Sequence, residues 1–242
     1  MIENFKLDMK TKFKVLLYLL FFVATVSKVK AQDFGVKSSI HTHFVYGLFV
    51  QGQIDKLNWG DLPIEGKTKD CAIGGGLHAK GGIRLYFGSS GYYLYPNLLL
   101  SIGMTGRGKR DIPNLSSNLV NYRCFNSNII PAIVFGCPIG SSDYDFYFGA
   151  GYWAEYVIKP KLYPLSGIVM ENNSSERIAA IAGISLGGYG GGFNLDLILG
   201  LGKPFKSVNA VLDTYHFQLN SPLFLLSLSM MLDKFTKTEH GK

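Results

Sequence analysis

Apolar and polar residues alternate with a period of two through much of this chain, most clearly between Ile73 and Phe87. Ile73, Gly75, Leu77, Ala79, Gly81, Ile83, Leu85 and Phe87 share one parity, and Gly74, Gly76, His78, Lys80, Gly82, Arg84 and Tyr86 share the other. Successive side chains of an extended strand point to opposite faces. One face of this segment is therefore aliphatic, and the other carries glycine and base. Tyr92, Leu94, Pro96, Leu98, Leu100, Ile102 and Met104 oppose Tyr93, Tyr95, Asn97, Leu99, Ser101, Gly103, Thr105 and Arg107 in the same way. Phe34, Val36, Ile40, Phe44, Tyr46, Leu48 and Val50 oppose Gly35, Lys37, Ser39, His41, His43, Gly47 and Gln51, and Leu195, Leu197, Leu199 and Leu201 oppose Asn194, Asp196, Ile198, Gly200 and Gly202. Segments near 121–138, 144–157 and 178–187 alternate poorly, and the one near 215–232 changes phase around Pro222, as at a bulge.

Eight strands of roughly 9 to 17 residues follow, several longer than the five or six usual in soluble sheets. Their connections read long (52–70), short (88–91), long (107–120), short (139–144), long (158–177), short (188–192), long (203–214). An outer-membrane barrel with both termini in the periplasm has tight periplasmic turns and longer outer loops, so its connections alternate in this phase. Aromatics crowd two of the short turns: Tyr86, Phe87, Tyr92, Tyr93 and Tyr95 at one, Phe135, Tyr144, Phe146, Tyr147 and Phe148 at the other. That is the placement of an interfacial girdle. The expected fold is all-β, an eight-stranded antiparallel up-and-down transmembrane β-barrel over residues 32–235, monomeric, with a polar tail at 236–242.

The first residues carry a separate signal. Lys10, Lys12 and Lys14 precede the apolar run 15–26, and Val29 and Ala31 stand at the small-residue positions before a cleavage point. Residues 1–31 read as a cleaved signal peptide, since the run is shorter than a membrane-spanning helix. Their loss removes six lysines and two acids, leaving 18 basic against 15 acidic residues. The nominal charge of +7 thus belongs mostly to the export signal, and no nucleic-acid partner is expected. Cys71, Cys124 and Cys137 are too scattered for a disulfide framework or a zinc site.

Parity places Lys37, His41, His43, His78, Lys80, Arg84, Arg107, Glu155 and Asp196 in the barrel interior as a polar network. An eight-stranded interior is just wide enough for side chains, and buried charges are tolerable when paired, so the network is expected to plug the barrel; a constricted basic channel favouring anions is the competing reading. His41 and His43 share a strand face as two metal ligands would, but no third ligand is identifiable. No metal, cofactor or catalytic residue is expected. "GDLPIEGKT" (60–68) imitates a phosphate-binding loop with one residue too many between its glycines. Lys67, Lys69, Arg107, Lys109, Arg110, Lys159 and Lys161, in or beside the long loops, are placed to meet anionic lipopolysaccharide.

On "AQDFGVKSSI" (31–40), "GLHAKGGIRLYF" (76–87), "YLYPNLLLSIGMTGRG" (93–108), "IIPAIVFG" (129–136) and "YFGAGYWAEY" (147–156), the chain resembles the small outer-membrane β-barrels of Gram-negative bacteria labelled porin-family or PorT-family proteins. The likeness covers the mature chain. It departs at Asn97, where the family tends to carry an acid, and at the polar end after Phe235, where many such barrels stop on an aromatic. The resemblance implies an outer-membrane location and insertion by the barrel-assembly machinery, and no chemistry. The expected role is structural, narrow and porin-like, or binding of an extracellular ligand or protein at the loops. Two alternatives remain open at this stage. A soluble lipocalin-like binder would turn Leu77, Ile83, Leu98 and Leu100 inward and leave His78, Lys80 and Arg84 in solvent. An outer-membrane lipid-modifying enzyme would need a His and Ser pair at the outer rim, from 41–47 and 227–229.

Overall fold

The computed structural model describes residues 40–58, 69–87, 92–111, 119–139, 144–163, 167–186, 192–212 and 215–234. The signal segment 1–31, the phosphate-loop imitation at 60–68, Lys37 and the tail 236–242 lie outside the described residues. Among the described residues ten strands form: β1 (Ile40–Asn58), β2 (Lys69–Phe87), β3 (Tyr93–Asp111), β4 (Leu119–Pro138), β5 (Tyr144–Tyr163), β6 (Val169–Asn172), β7 (Ser174–Leu186), β8 (Gly192–Lys206), β9 (Val208–Leu212) and β10 (Tyr215–Lys234). The ladder runs β1-β2-β3-β4-β5-β7-β8-β10 and closes through antiparallel β1–β10 pairing from Phe44↔Lys234 to Asn58↔Gln218. Eight staves thus make an antiparallel, up-and-down ring.

The ring has an apolar exterior. Leu77, Leu98 and Leu100 are exposed, whereas His78, Lys80 and Arg84 are buried, the reverse of what a lipocalin-like binder requires. Outward Phe125, Ile129, Ile133 and Phe135 mark the band on β4. Ten residues of strand cover about 33 Å, or about 25 Å along the axis of a barrel tilted by about 40°.

Several expectations change. The strands are longer than the alternation suggested: β1, β2 and β3 each run 19 residues and β4, β5 and β10 each run 20, so the first long connection shrinks to 59–68. Two stretches read as loop contain strands. The β9 strand pairs with the first part of β10 (Tyr215↔Leu212 to Leu219↔Val208), and β6 pairs with β9. The poorly alternating segment on β4 proves regular in burial, with Tyr122, Cys124, Asn126, Asn128, Ile130, Ala132 and Val134 all buried and the residues between them not, whereas on β5 Trp153, Ala154 and Glu155 are buried in succession. The β4 pattern was obscured because the interior itself changes from apolar to polar and back along the strand.

Glycine in β2 has a specific cause. A β-carbon on Gly74 would lie 2.0 Å from the Met104 carbonyl oxygen, and one on Gly76 would lie 2.1 Å from that of Ile102. These are contacts with the β3 backbone, which cannot yield as a side chain can. The inward glycines therefore let β2 and β3 approach and curve, besides leaving room for the bases beside them.

Candidate functional site

The interior is built in tiers. Nearest the short turns, the Arg84 guanidinium carbon lies 4.9 Å from the ring centre of Tyr93 and 5.5 Å from that of Tyr95, a cation–π seat. Its Nη1 is 3.6 Å from Asp145 Oδ2, and its Nη2 donates to Ser185 Oγ at 3.2 Å. One step further in, Lys80 Nζ donates to Asp196 Oδ1 at 2.7 Å, both side chains essentially sealed from solvent. Tyr147 donates its hydroxyl to the same oxygen at 2.6 Å and Ser227 to Oδ2 at 2.9 Å. Lys80 also lies 5.1 Å from the Tyr147 ring centre and 5.5 Å from that of Tyr95. His78 Nε2 is 2.7 Å from Ser229 Oγ.

An apolar cluster that includes Leu99, Ile130, Trp153, Ile181, Ile198 and Leu225 fills the middle on the β3-to-β10 side. Against it runs an amide tier. Gln53 Nε2 donates to Asp55 Oδ1 at 2.6 Å and to Glu155 Oε1 at 2.7 Å, and Asn126 Nδ2 donates to that Glu155 oxygen at 3.0 Å. Asn128 donates to Gln53 Oε1 at 2.8 Å and to Ser101 Oγ at 3.0 Å, while accepting from Trp153 Nε1 at 2.8 Å. A second apolar cluster, with Leu57, Tyr122, Val157, Val208, Ala210 and Phe217, caps this tier toward the long loops. Two of its members come from β9, so the strands formed inside the long connections complete the cap.

At the same end the wall forks. Above the Phe224↔Leu199 pair, β10 leaves β8 and pairs with β9 instead. Arg177 of β7 lies across the fork, donating through Nη1 to the Pro222 carbonyl and through Nη2 to the Gly202 carbonyl. Gly200 leaves it space, since an added β-carbon there would lie 2.6 Å from Arg177 Cδ. On the rim above, Asn58, Glu171, Asn209, His216, Phe217 and Gln218 surround an open concavity of about 320 Å³. His216 Nδ1 faces Glu171 Oε1 at 3.5 Å there, both side chains well exposed.

The sequence-derived candidates divide accordingly. Lys80 and Asp196 meet each other, while Arg84 and His78 find other partners. Glu155 is buried and accepts from the Gln53 and Asn126 amides, while Lys80–Asp196 is a sealed ion pair and Arg84 lies beside Asp145. Arg107 is half-buried near the long-loop end, opposite Tyr122. His41 and His43 pair in register with Tyr86 and Arg84, at the short-turn end, away from the rim where an enzyme of the kind considered would act. Ser229 bonds to His78 instead. Among the described residues no group of three or more His, Cys, Asp and Glu is placed to hold a metal, and the three cysteines form no disulfide.

The aromatic girdle needs a correction. Phe87, Tyr92, Phe135, Tyr144, Phe146 and Phe148 face outward, with Tyr92–Phe135 and Phe135–Phe148 centroids both 5.9 Å apart. Tyr93, Tyr95 and Tyr147 face inward and are fully buried, because Lys80 and Arg84 need π faces there. Gln53, Asp55, Asn126, Asn128 and Asp145 were missed. The alternation of Gln51, Gln53, Asp55 and Leu57 runs on through β1 to Asn58, and it is the sequence signal for the first two. Of the bases assigned to the lipopolysaccharide face, Lys67 lies outside the described residues and Lys161 is exposed on the outer wall.

No family model matches the chain, and no curated protein matches it. Among solved structures it is similar to the crystal structure of the outer membrane protein OprG from Pseudomonas aeruginosa, with 12% sequence identity over 83% of this chain and 100% of that one and a TM-score of 0.46.

Proposed function

We propose that this chain is an outer-membrane β-barrel of a Gram-negative bacterium, exported by residues 1–31, with a plugged interior, no catalytic activity, and a binding or structural role carried at its long-loop end. The observation that carries the reading is the inversion of burial: the wall exposes an apolar band edged by aromatics, while Lys80, Arg84, Asp196 and Glu155 are sealed inside. Only a solvent more apolar than the barrel interior rewards that arrangement. The edge of β1, which in an open sheet would present unpaired groups, is satisfied by β10. Under this reading the short turns face the periplasm, insertion falls to the barrel-assembly machinery, and the rim concavity faces outward as the place for an extracellular ligand.

The test is migration of the mature protein from extracted outer membranes, with and without boiling in SDS. A folded band in the membrane fraction that shifts only on boiling is the expected result. A soluble periplasmic protein with no shift would overturn the reading.

A further inference from the structure

Just above the apolar band, β4 and β5 place Arg123 directly opposite Lys161. Both are exposed on the outer wall, and neither forms an ion pair with a described residue. Like charges set opposite each other across a strand pair destabilise it, so the pair makes sense when an anion sits between them. On the other side of Arg123 the register partner is Gly106, whose absent β-carbon would lie 3.4 Å from Arg123 Cγ. The arginine stem therefore has a shallow groove to lie along, with its planar fork available for bidentate binding to a phosphate. Toward the band, two residues along β3 and β4 and three along β5 across a register shift, come Met104, Phe125 and Ile158, a row of mutual partners that are 47%, 57% and 47% exposed.

We propose that this wall segment binds a phosphorylated lipid of the outer leaflet, with Arg123 and Lys161 clamping a phosphate of its headgroup and the Met104, Phe125 and Ile158 row taking its acyl chains. The proposal rests on the membrane reading and deepens it, moving the contact from the loops to the wall and adding Arg123. A free phosphate would use the clamp and ignore the apolar row; a neutral lipid would use the row and ignore the clamp. The site is built for both in one molecule.

The test is native mass spectrometry of the detergent-solubilised, folded barrel with bisphosphorylated lipid A, with the same lipid after phosphate removal, and with inorganic phosphate as competitor. Lipid A is expected to bind, and the dephosphorylated lipid to bind more than about tenfold more weakly, as loss of charge-assisted hydrogen bonds implies. Arg123→Glu with Lys161→Glu should cost a similar factor, Arg123→Lys with Lys161→Arg should retain binding, and millimolar phosphate should not displace the lipid. Equal binding of both lipids, or unchanged binding by the charge-reversed variant, overturns the site while the barrel stands. Each variant is first checked for the boiling-dependent gel shift; a wild-type chain that is soluble and shows no shift overturns the membrane reading and the site together.

Discussion

Lys80 can be buried because everything around it is arranged for a cation: Asp196 at 2.7 Å, the faces of Tyr95 and Tyr147, and two further hydroxyls that hold the carboxylate in place. A sealed ion pair gains Coulomb energy but loses the hydration of both ions, and the two terms nearly cancel. The asymmetry appears on mutation. Lys80→Met leaves Asp196 buried without its counter-ion and is expected to cost about 3–5 kcal/mol, whereas Lys80→Met with Asp196→Leu is expected to recover most of that loss. Urea unfolding of the barrel in lipid vesicles, followed by tryptophan fluorescence, measures both. Additive losses in the double variant would mean that the two residues act independently and that the pair does not organise the plug.

At the scale of the element, β2 carries the tightest constraint. Gly76→Ala puts a methyl group into the β3 backbone at Ile102, and no rotamer change relieves a clash with a carbonyl. Assembly should fail, seen as loss of the fast-migrating unboiled band, while Gly52→Ala, whose new methyl would meet its nearest neighbour, the Gly74 carbonyl, at 3.9 Å, should assemble normally. Normal assembly of the Gly76 variant would show that β2 and β3 can separate. The same strands explain what was legible beforehand. In β2 and β3 the outward residues are nearly all aliphatic and the inward ones nearly all polar, glycine or tyrosine, so a period of two stands out. In β4 the inward set passes from Tyr122 through Asn128 to Val134, and no binary pattern survives the change of tier. Strands as short as β6 and β9 are stabilised by the partners they find on β10 and each other, which their own four or five residues do not encode. Parity likewise put Lys80 and Asp196 on the inside, but their pairing depends on ring closure between residues 116 apart in sequence.

For the whole molecule, strand length and interior filling bear on transport. A strand of 19 residues is about 63 Å long and rises about 48 Å at a tilt of about 40°, roughly twice the apolar band. The excess stands beyond the band at the long-loop end, where the cap of Leu57, Tyr122, Val208, Ala210 and Phe217 closes the interior. A solute moving through would have to displace that cap, pass the amide tier around Gln53 and Asn128, and then part the Lys80–Asp196 pair. An anion-selective channel needs cations that offer their charge to the passing ion. Here Lys80 is held by a carboxylate and Arg84 by Asp145 and two tyrosine faces. Planar bilayers containing the folded protein are accordingly expected to show no resolved current steps, and double replacement of Lys80 and Asp196 by Ala should open at most a small conductance, because both apolar tiers remain. Anion-selective steps from the wild-type barrel would show that the cap moves aside in a membrane and that the buried bases line a pathway instead of filling one.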